Sequence, residues 1–442
     1  MTGEEFQRLV HEKIVLLDGA TGTNLFQDGL SEGECPEVWI TQHSEILIEL
    51  QKEYVRNGSN IIYAPTFGAN RSRLSKYGYD DSVKELNIRL VELSKKAADH
   101  TAWVAGNLSM TGRVSKQTDD PDLEELVAIY KEQVAALSEA GVDLIAIETM
   151  QSLSETRAAV IACKEVAPEL AIMATLTFNE DGYTEMEVAP AAAVVTLQDM
   201  GVSAVGFNCS LEPQKMRTVV IQMAEVAKVP IIAKPNAGLP YKNDAGSLIY
   251  DLNAETFTDQ MEELLQYGAT ILGGCCGTTP SYISELRELA ESVEGIEVDF
   301  EDVANLVFLS DDRRCYSFPA GIPLQRPDTI RLSDRADTKE AREHEWNEIA
   351  AHLVRMQNHS PDAVIVKIEK ENLTDIPELI SKIAQEAETP VLIETDRKKT
   401  AEFLARRYCG LLGIIYKGNE DISTLKRYGT KLVTIDNNIV SC

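Results

Sequence analysis

Leu144-Ile145-Ala146-Ile147-Glu148 is an apolar run closed by a carboxylate, the pattern of a short buried strand whose polar residue stands at its C-terminal end. The same phrase recurs along the first two thirds of the chain. The runs are Ile14–Asp18, Asn60–Ala64, Trp103–Gly106, Asp143–Glu148, Ile172–Thr177, Ala204–Asn208, Pro230–Lys234 and Thr270–Gly274. Between them lie stretches such as Leu123–Gly141 and Ser154–Ala167, with apolar residues at three- and four-residue spacing. Eight strand-like runs alternating with helical segments over about 290 residues predict an α/β protein built on a (β/α)8 TIM barrel. An open doubly wound sheet would need a glycine-rich phosphate loop after its first strand. Asp18-Gly19-Ala20-Thr21-Gly22 has its glycines at the wrong spacing for that.

The polar residues at the run ends locate the site. Asp18, Thr66, Asn107, Glu148, Thr177, Asn208 with Cys209, Asn236, and Cys275 with Cys276 all fall at or just beyond a C-terminal strand end. Barrel enzymes assemble their chemistry at that face. Cys209, Cys275 and Cys276 are soft, anionic donors suited to Zn²⁺ with a fourth position left for a substrate thiol. Neighbouring residues of a regular strand point to opposite faces, so Cys275 and Cys276 can share a metal only where the backbone bends. Gly273, Gly274 and Gly277 around them allow such a bend. No histidine stands at a strand end, which favours sulfur alkylation over water activation. Asp18 and Glu148 are candidates to hold a substrate ammonium, or else cap the amides that follow them. Gly19 and Ala20 offer backbone N–H groups to a carboxylate, and the stretch Thr66-Phe67-Gly68-Ala69-Asn70 reads equally as a second wall or as a turn preceding a helix.

The remaining properties bound the function. The chain has 442 residues, enough for two domains, and a net charge of −29, which opposes nucleic acid and anionic membranes. No run approaches the length of a membrane span, and the acidic N-terminus lacks the features of a signal peptide, so a cytoplasmic location is expected. The eight cysteines are too sparse for a disulfide scaffold. The barrel is expected over 1–292. A proline- and charge-rich stretch, 293–345, containing Val298-Asp299-Phe300 and the charged run Arg331–Arg342, reads as a linker despite a strand-like Ala304–Leu309. Over 346–442, strands at Ala363–Ile368, Val391–Thr395, Gly413–Tyr416 and Lys431–Asp436 predict a small α/β half-barrel whose free edge needs covering, by the first domain or in a homodimer.

The segments Leu16–Thr23, Pro65–Asn70, Ile147–Thr149, Gly206–Ser210 and Gly273–Pro280 together resemble the homocysteine S-methyltransferase family. The resemblance implies a zinc-dependent barrel that methylates homocysteine to methionine. It implies Cys209, Cys275 and Cys276 as metal ligands, with Asp18, Gly19, Ala20, Thr66, Glu148 and Asn208 around the amino acid. Gly277 resembles the homocysteine-binding module of cobalamin-dependent methionine synthase, where members using S-methylmethionine or betaine commonly carry arginine. That likeness implies methylcobalamin or another methyl-corrinoid, carried by a separate protein because no Asp-x-His-x-x-Gly motif is present. The C-terminal part is similar to the start of the pterin-binding barrel of that synthase, truncated and lacking its polar residues. Val366-Lys367-Ile368 stands where an Asp-x-Asn is usual, and Tyr416 replaces an asparagine. S-methylmethionine or betaine as donor is the alternative chemistry. A non-catalytic zinc-containing scaffold is the alternative of another class, and it would require a fourth protein ligand.

Overall fold

The computed structural model describes residues 1–114, 122–242, 248–293, 301–321, 324, 327–332, 339–357, 361–369, 376–433 and 439–440. It divides into two compact units, Met1–Pro190 with Val202–Phe300, and Ala191–Gly201 with Glu301–Cys442. His359, Val298-Asp299-Phe300, the centre of the Arg331–Arg342 run and the end of the strand expected at Lys431–Asp436 lie outside the described residues.

Eight parallel strands build the first unit: β1 (Val15–Leu16), β2 (Ile61–Tyr63), β3 (Trp103–Leu108), β4 (Leu144–Met150), β5 (Ile172–Leu176), β6 (Ala204–Cys209), β7 (Ile231–Pro235) and β8 (Ala269–Leu272). They pair in consecutive order from β2 to β8, and β8 pairs β1. A parallel bridge between Leu17 and Ile61 joins β1 to β2, so the ring closes as the expected (β/α)8 barrel. The seam is thin, because β1 contributes only two residues.

The interior follows the two-residue period of strands. Val15, Leu17, Ile61, Tyr63, Ala105, Leu144, Ala146, Met173, Ala204, Ile232 and Ile271 form one buried cluster inside the ring. Helix α1 (Gly3–Glu12) closes the N-terminal end by adding Phe6, Leu9 and Val10 to it. A reciprocal capping box starts that helix: Glu5 N–H donates to Thr2 Oγ1 at 3.2 Å, and Thr2 N–H donates to Glu5 Oε2 at 2.7 Å. With apolar side chains filling the N-terminal end, the buried polar residues of the strands gather toward the C-terminal mouth. Counting two residues upward from Ala105, Ala146, Met173 and Ile232 gives Asn107, Glu148, Thr175 and Lys234, the polar layer above the core.

The second unit corrects two expectations. The stretch read as a linker carries three strands, β9 (Leu306–Ser310), β10 (Cys315–Pro319) and β11 (Asp328–Leu332). Only the first was legible, because Cys315-Tyr316-Ser317-Phe318-Pro319 and Asp328-Thr329-Ile330-Arg331-Leu332 are short and sit among prolines and charges. Among the described residues the sheet therefore has six strands rather than four: β11, β12 (Val364–Ile368), β13 (Val391–Thr395), β14 (Leu412–Tyr416), β15 (Thr430–Val433) and β16 (Ile439–Val440), in that order. The first five are parallel and the last is antiparallel. The β9–β10 hairpin covers one face, packing Val307, Leu309 and Phe318 on Ala363, Ile365, Leu392, Ile415 and Val433. No helix among the described residues is long and apolar enough to cross a membrane.

Leu309 is 1% exposed at the centre of that contact. Leu309→Ala is expected to destabilise the second unit by about 2–5 kcal/mol, the usual range for a buried leucine. Urea unfolding followed by circular dichroism measures it, and an unchanged midpoint would show that the hairpin does not hold the sheet.

Candidate metal and thiol site

Cys209 ends β6, and Cys275 with Cys276 follow β8, so all three come from the C-terminal mouth. Their sulfurs lie within 4.8 Å of one another, each thiol is partly exposed, and Cys209 Sγ is 3.9 Å from Cys276 Sγ. Sulfurs at ~2.3 Å from a tetrahedral zinc stand about 3.8 Å apart, so the donor type and the spacing both fit Zn²⁺. Hydrogen bonds from Cys209 and Cys275 pull the Cys276 thiol down to about 3, while the bonds Cys209 shares with Cys275 and Cys276 push its own thiol up. A cluster that holds one thiolate by hydrogen bonds from its neighbours needs a cation before all three can ionise.

Two departures from regular strand geometry bring these sulfurs together. Cys209 and Ser210 adopt left-handed backbone angles, φ 57° and 61°, which turn the cysteine toward the mouth although Asn208 already faces inward. Such angles cost on the order of 1–3 kcal/mol at a non-glycine residue. On the other side, Cys275 N–H donates to Pro235 O at 2.7 Å and Cys276 N–H to Asn236 Oδ1 at 3.1 Å, fixing the corner after β8. Gly277 has φ +84°, and a Cβ there would fall 2.3 Å from Tyr250 Cγ. Tyr250 ends a hairpin, Pro240–Lys242 with Leu248–Tyr250, and its ring fills the place of any side chain at 277.

The two expected carboxylates have different surroundings. Asp18 is 1% exposed; its Oδ2 accepts from Tyr63 N–H at 2.8 Å and its Oδ1 lies 3.3 Å from Lys234 Nζ. Burial raises its pKa against the lowering effect of Lys234. Glu148 sits where the β4–β5 register slips, between Ile147 and Met150. It accepts from Asn107 Nδ2 at 2.7 Å and from Asn208 Nδ2 at 3.5 Å. Burial, only partly offset by Lys234, pushes its carboxyl up to about 7. Asn107 Oδ1 beside it is buried without a donor.

The other expected residues divide. Asn208 is a hub: its Oδ1 accepts from Thr149 N–H at 2.7 Å and Thr175 Oγ1 at 2.8 Å, and its Nδ2 lies 3.9 Å from Cys275 Sγ. Thr66 is fully buried and clamps the β2 and β3 ends, donating to Asn107 O at 2.8 Å and accepting from Asn107 N–H at 3.0 Å. Ala20 N–H is taken by Thr278 Oγ1 at 3.0 Å, and Gly19 packs so tightly on Tyr54 and Thr278 that a Cβ would meet both below 3 Å. The sequence reading missed Lys234 and Tyr250. Lys234 was detectable as the cation two residues above buried Ile232 in an otherwise apolar strand; Tyr250 left no local signal.

Comparison with known proteins places this geometry. The model of a family described as homocysteine S-methyltransferase matches residues 15–290. The chain is 25% identical over 417 residues to a methionine synthase of Mycobacterium tuberculosis (strain ATCC 25618 / H37Rv), covering 88% of this chain and 34% of that protein. It is 24% identical over 413 residues to a methionine synthase of Mycobacterium leprae (strain TN), covering 87% and 34%. The chain thus spans about a third of the length of the curated relatives it matches. Among solved structures it is similar to the homocysteine methyltransferase MmuM from Escherichia coli. The metallated form gives 24% identity and a TM-score of 0.54 over 64% of this chain and 98% of that one. The oxidized form gives 24% and 0.53 over 62% and 96%. These two structures support the barrel fold.

Removing the Glu148 charge tests its environment. A carboxyl raised from 4.5 to about 7 destabilises the fold only where it must ionise, so the penalty is absent below pH 4.5 and complete above pH 7. Glu148→Gln is expected to stabilise the protein at pH 8 by on the order of 2–3 kcal/mol, a gain that vanishes near pH 4.5. Thermal unfolding across that range decides it, and a pH-independent difference would refute the assignment.

Proposed function

The chain belongs to the homocysteine S-methyltransferase family, and on that premise we propose that its barrel methylates homocysteine to methionine with a methyl group from a separate methyl-corrinoid protein. The observation that carries this reading is the convergence of three partly exposed thiols within 4.8 Å at the mouth of the barrel, beside a buried carboxylate short of a positive partner. A zinc ion held by Cys209, Cys275 and Cys276 supplies a position at which a substrate thiol is kept as thiolate at neutral pH.

The chain's own residues supply the rest. Asn107 Nδ2 donates to Glu148 Oε1 at 2.7 Å, which leaves the Glu148 carboxylate and the donorless Asn107 Oδ1 as neighbouring acceptors, and together they receive the substrate ammonium. Asn208 fixes the Glu148 side chain from β6 while standing next to Cys275, so the amino end and the sulfur end of the substrate are set by one residue. Asp18 balances Lys234 beneath them, with Gly19, Ala20 and Thr66 shaping the wall. Methyl transfer is an in-line displacement: the sulfur–carbon bond forms as the donor's bond to methyl breaks, and that electron pair stays on the donor. Alignment and an activated nucleophile are the protein's main contributions.

Two measurements test the reading. The zinc-loaded chain is assayed with homocysteine and, in turn, a methylated corrinoid protein, methylcobalamin, S-methylmethionine, betaine and methyltetrahydrofolate. Methionine is expected from the two corrinoid donors; turnover with S-methylmethionine or betaine alone would replace the donor, and none with any donor would sink the proposal. Cys275→Ser is expected to keep the fold while weakening metal binding by about a hundredfold or more. Metal retained at full affinity would remove Cys275 from the ligand set.

A further inference from the structure

We propose that Lys234 is a positioning residue for the thiol cluster, whose ε-ammonium holds the Gly274-Cys275-Cys276 corner so that both thiols face one cation. The inference rests on the metal-site reading above. Three consecutive residues at the end of β7 grip three consecutive residues after β8. Lys234 Nζ donates to Gly274 O at 2.8 Å, Pro235 O accepts from Cys275 N–H at 2.7 Å, and Asn236 Oδ1 accepts from Cys276 N–H at 3.1 Å. The last two involve the cysteines' own amides, whereas the first seizes the carbonyl immediately before them. The lysine reaches that carbonyl from inside the barrel, along its four-carbon stem.

The lysine is placed for this at a cost. It is 4% exposed, and a lysine so deeply buried persists only when paired. Asp18 Oδ1 at 3.3 Å is the pair, and the Tyr63 ring lies 5.1 Å from the ammonium. One cation from β7 therefore reaches residues at the ends of β1, β2 and β8, around the seam where β1 offers two residues and β1 meets β2 through the Leu17–Ile61 bridge. With Asp18 Oδ1 at 3.3 Å as its counter-charge and Gly274 O at 2.8 Å as its acceptor, the group serves as a donor and a counter-charge.

The test uses the full chain loaded with cobalt(II), whose thiolate charge-transfer bands report how many sulfurs are bound. Lys234→Met and the double variant D18N/K234M are expected to lose band intensity and to bind cobalt about tenfold or more weakly, the usual effect of losing an outer-shell partner. D18N removes the ion pair with Lys234 but leaves Glu148 as a negative charge acting on the lysine and leaves the bond to Gly274 intact, and it is expected to retain the parent bands. Parent-like bands and affinity in K234M would overturn the proposal. So would an equal loss in D18N, which would assign the effect to the ion pair. Should K234M fail to fold with Asp18 unpaired, the double variant carries no such buried charge and gives the same reading. A parent chain without thiolate bands would overturn the metal-site reading itself, and this proposal with it.

Discussion

The side-chain amide of Asn236 holds together the geometry on which the mouth of this barrel depends. The thiols come from β6 and from the end of β8, strands that do not pair because β7 lies between them. Strands two apart in a sheet are separated by about 9.5 Å, yet the sulfurs meet within 4.8 Å. Both chain ends must therefore lean over the end of β7. Asn236 Nδ2 donates to Ser210 O at 3.0 Å on one side, and its Oδ1 accepts from Cys276 N–H at 3.1 Å on the other. Ala237 N–H to Cys276 O, at 2.9 Å, extends the grip by one residue. The left-handed angles at Cys209 and Ser210 are the local distortion that this lean imposes, and Asn236 holds them in place.

The barrel was legible because its signal is repeated and long-period: eight apolar runs, each with a polar end, agree with one another. The thiol set was legible for the same reason, since three cysteines fell at strand ends already assigned. What the sequence hid was direction. Alternation places Asn208 inward and so turns Cys209 away, and only the backbone angle, φ 57°, reverses that. Nor does residue type separate Asp18 from Glu148, both carboxylates at strand ends. Their difference lies in which one Lys234 reaches, a contact across 216 positions of the chain. Thr66 is a strand-end hydroxyl whose bonds go to the Asn107 backbone, a partner that residue type alone does not reveal.

The second unit shows how an open, mostly parallel sheet can be made stable. Five parallel strands in consecutive order present two faces, and an unclosed sheet would leave one of them wet. Here the β9–β10 hairpin supplies Val307, Leu309 and Phe318 to that face. Toward the C-terminal strand ends the same face turns polar. Lys367, two residues beyond Ile365, lies 3.5 Å from Glu369 and 3.7 Å from Glu394, and Lys417 reaches Glu394 at 2.9 Å. These charges pair with one another, which offsets the cost of placing a lysine and a glutamate on a partly buried sheet face.

The mouth of the first unit works on the contrary principle. Among the described residues it brings Asp18, Glu148, three thiols and the buried Lys234 close together, where charges interact strongly and none is cheap to bury. Lys234 lies against Asp18, whereas Glu148 has amide donors and forms no ion pair with a described residue. Burial then raises Glu148 to about 7, poised between its two forms. In the proposed reaction the substrate brings the missing charge: its ammonium completes Glu148 as Lys234 completes Asp18. A mouth with two lysines would be better balanced when empty and would have less to gain from an amino acid. The imbalance is thus a source of affinity, held in place by a barrel whose core is stable enough to carry it.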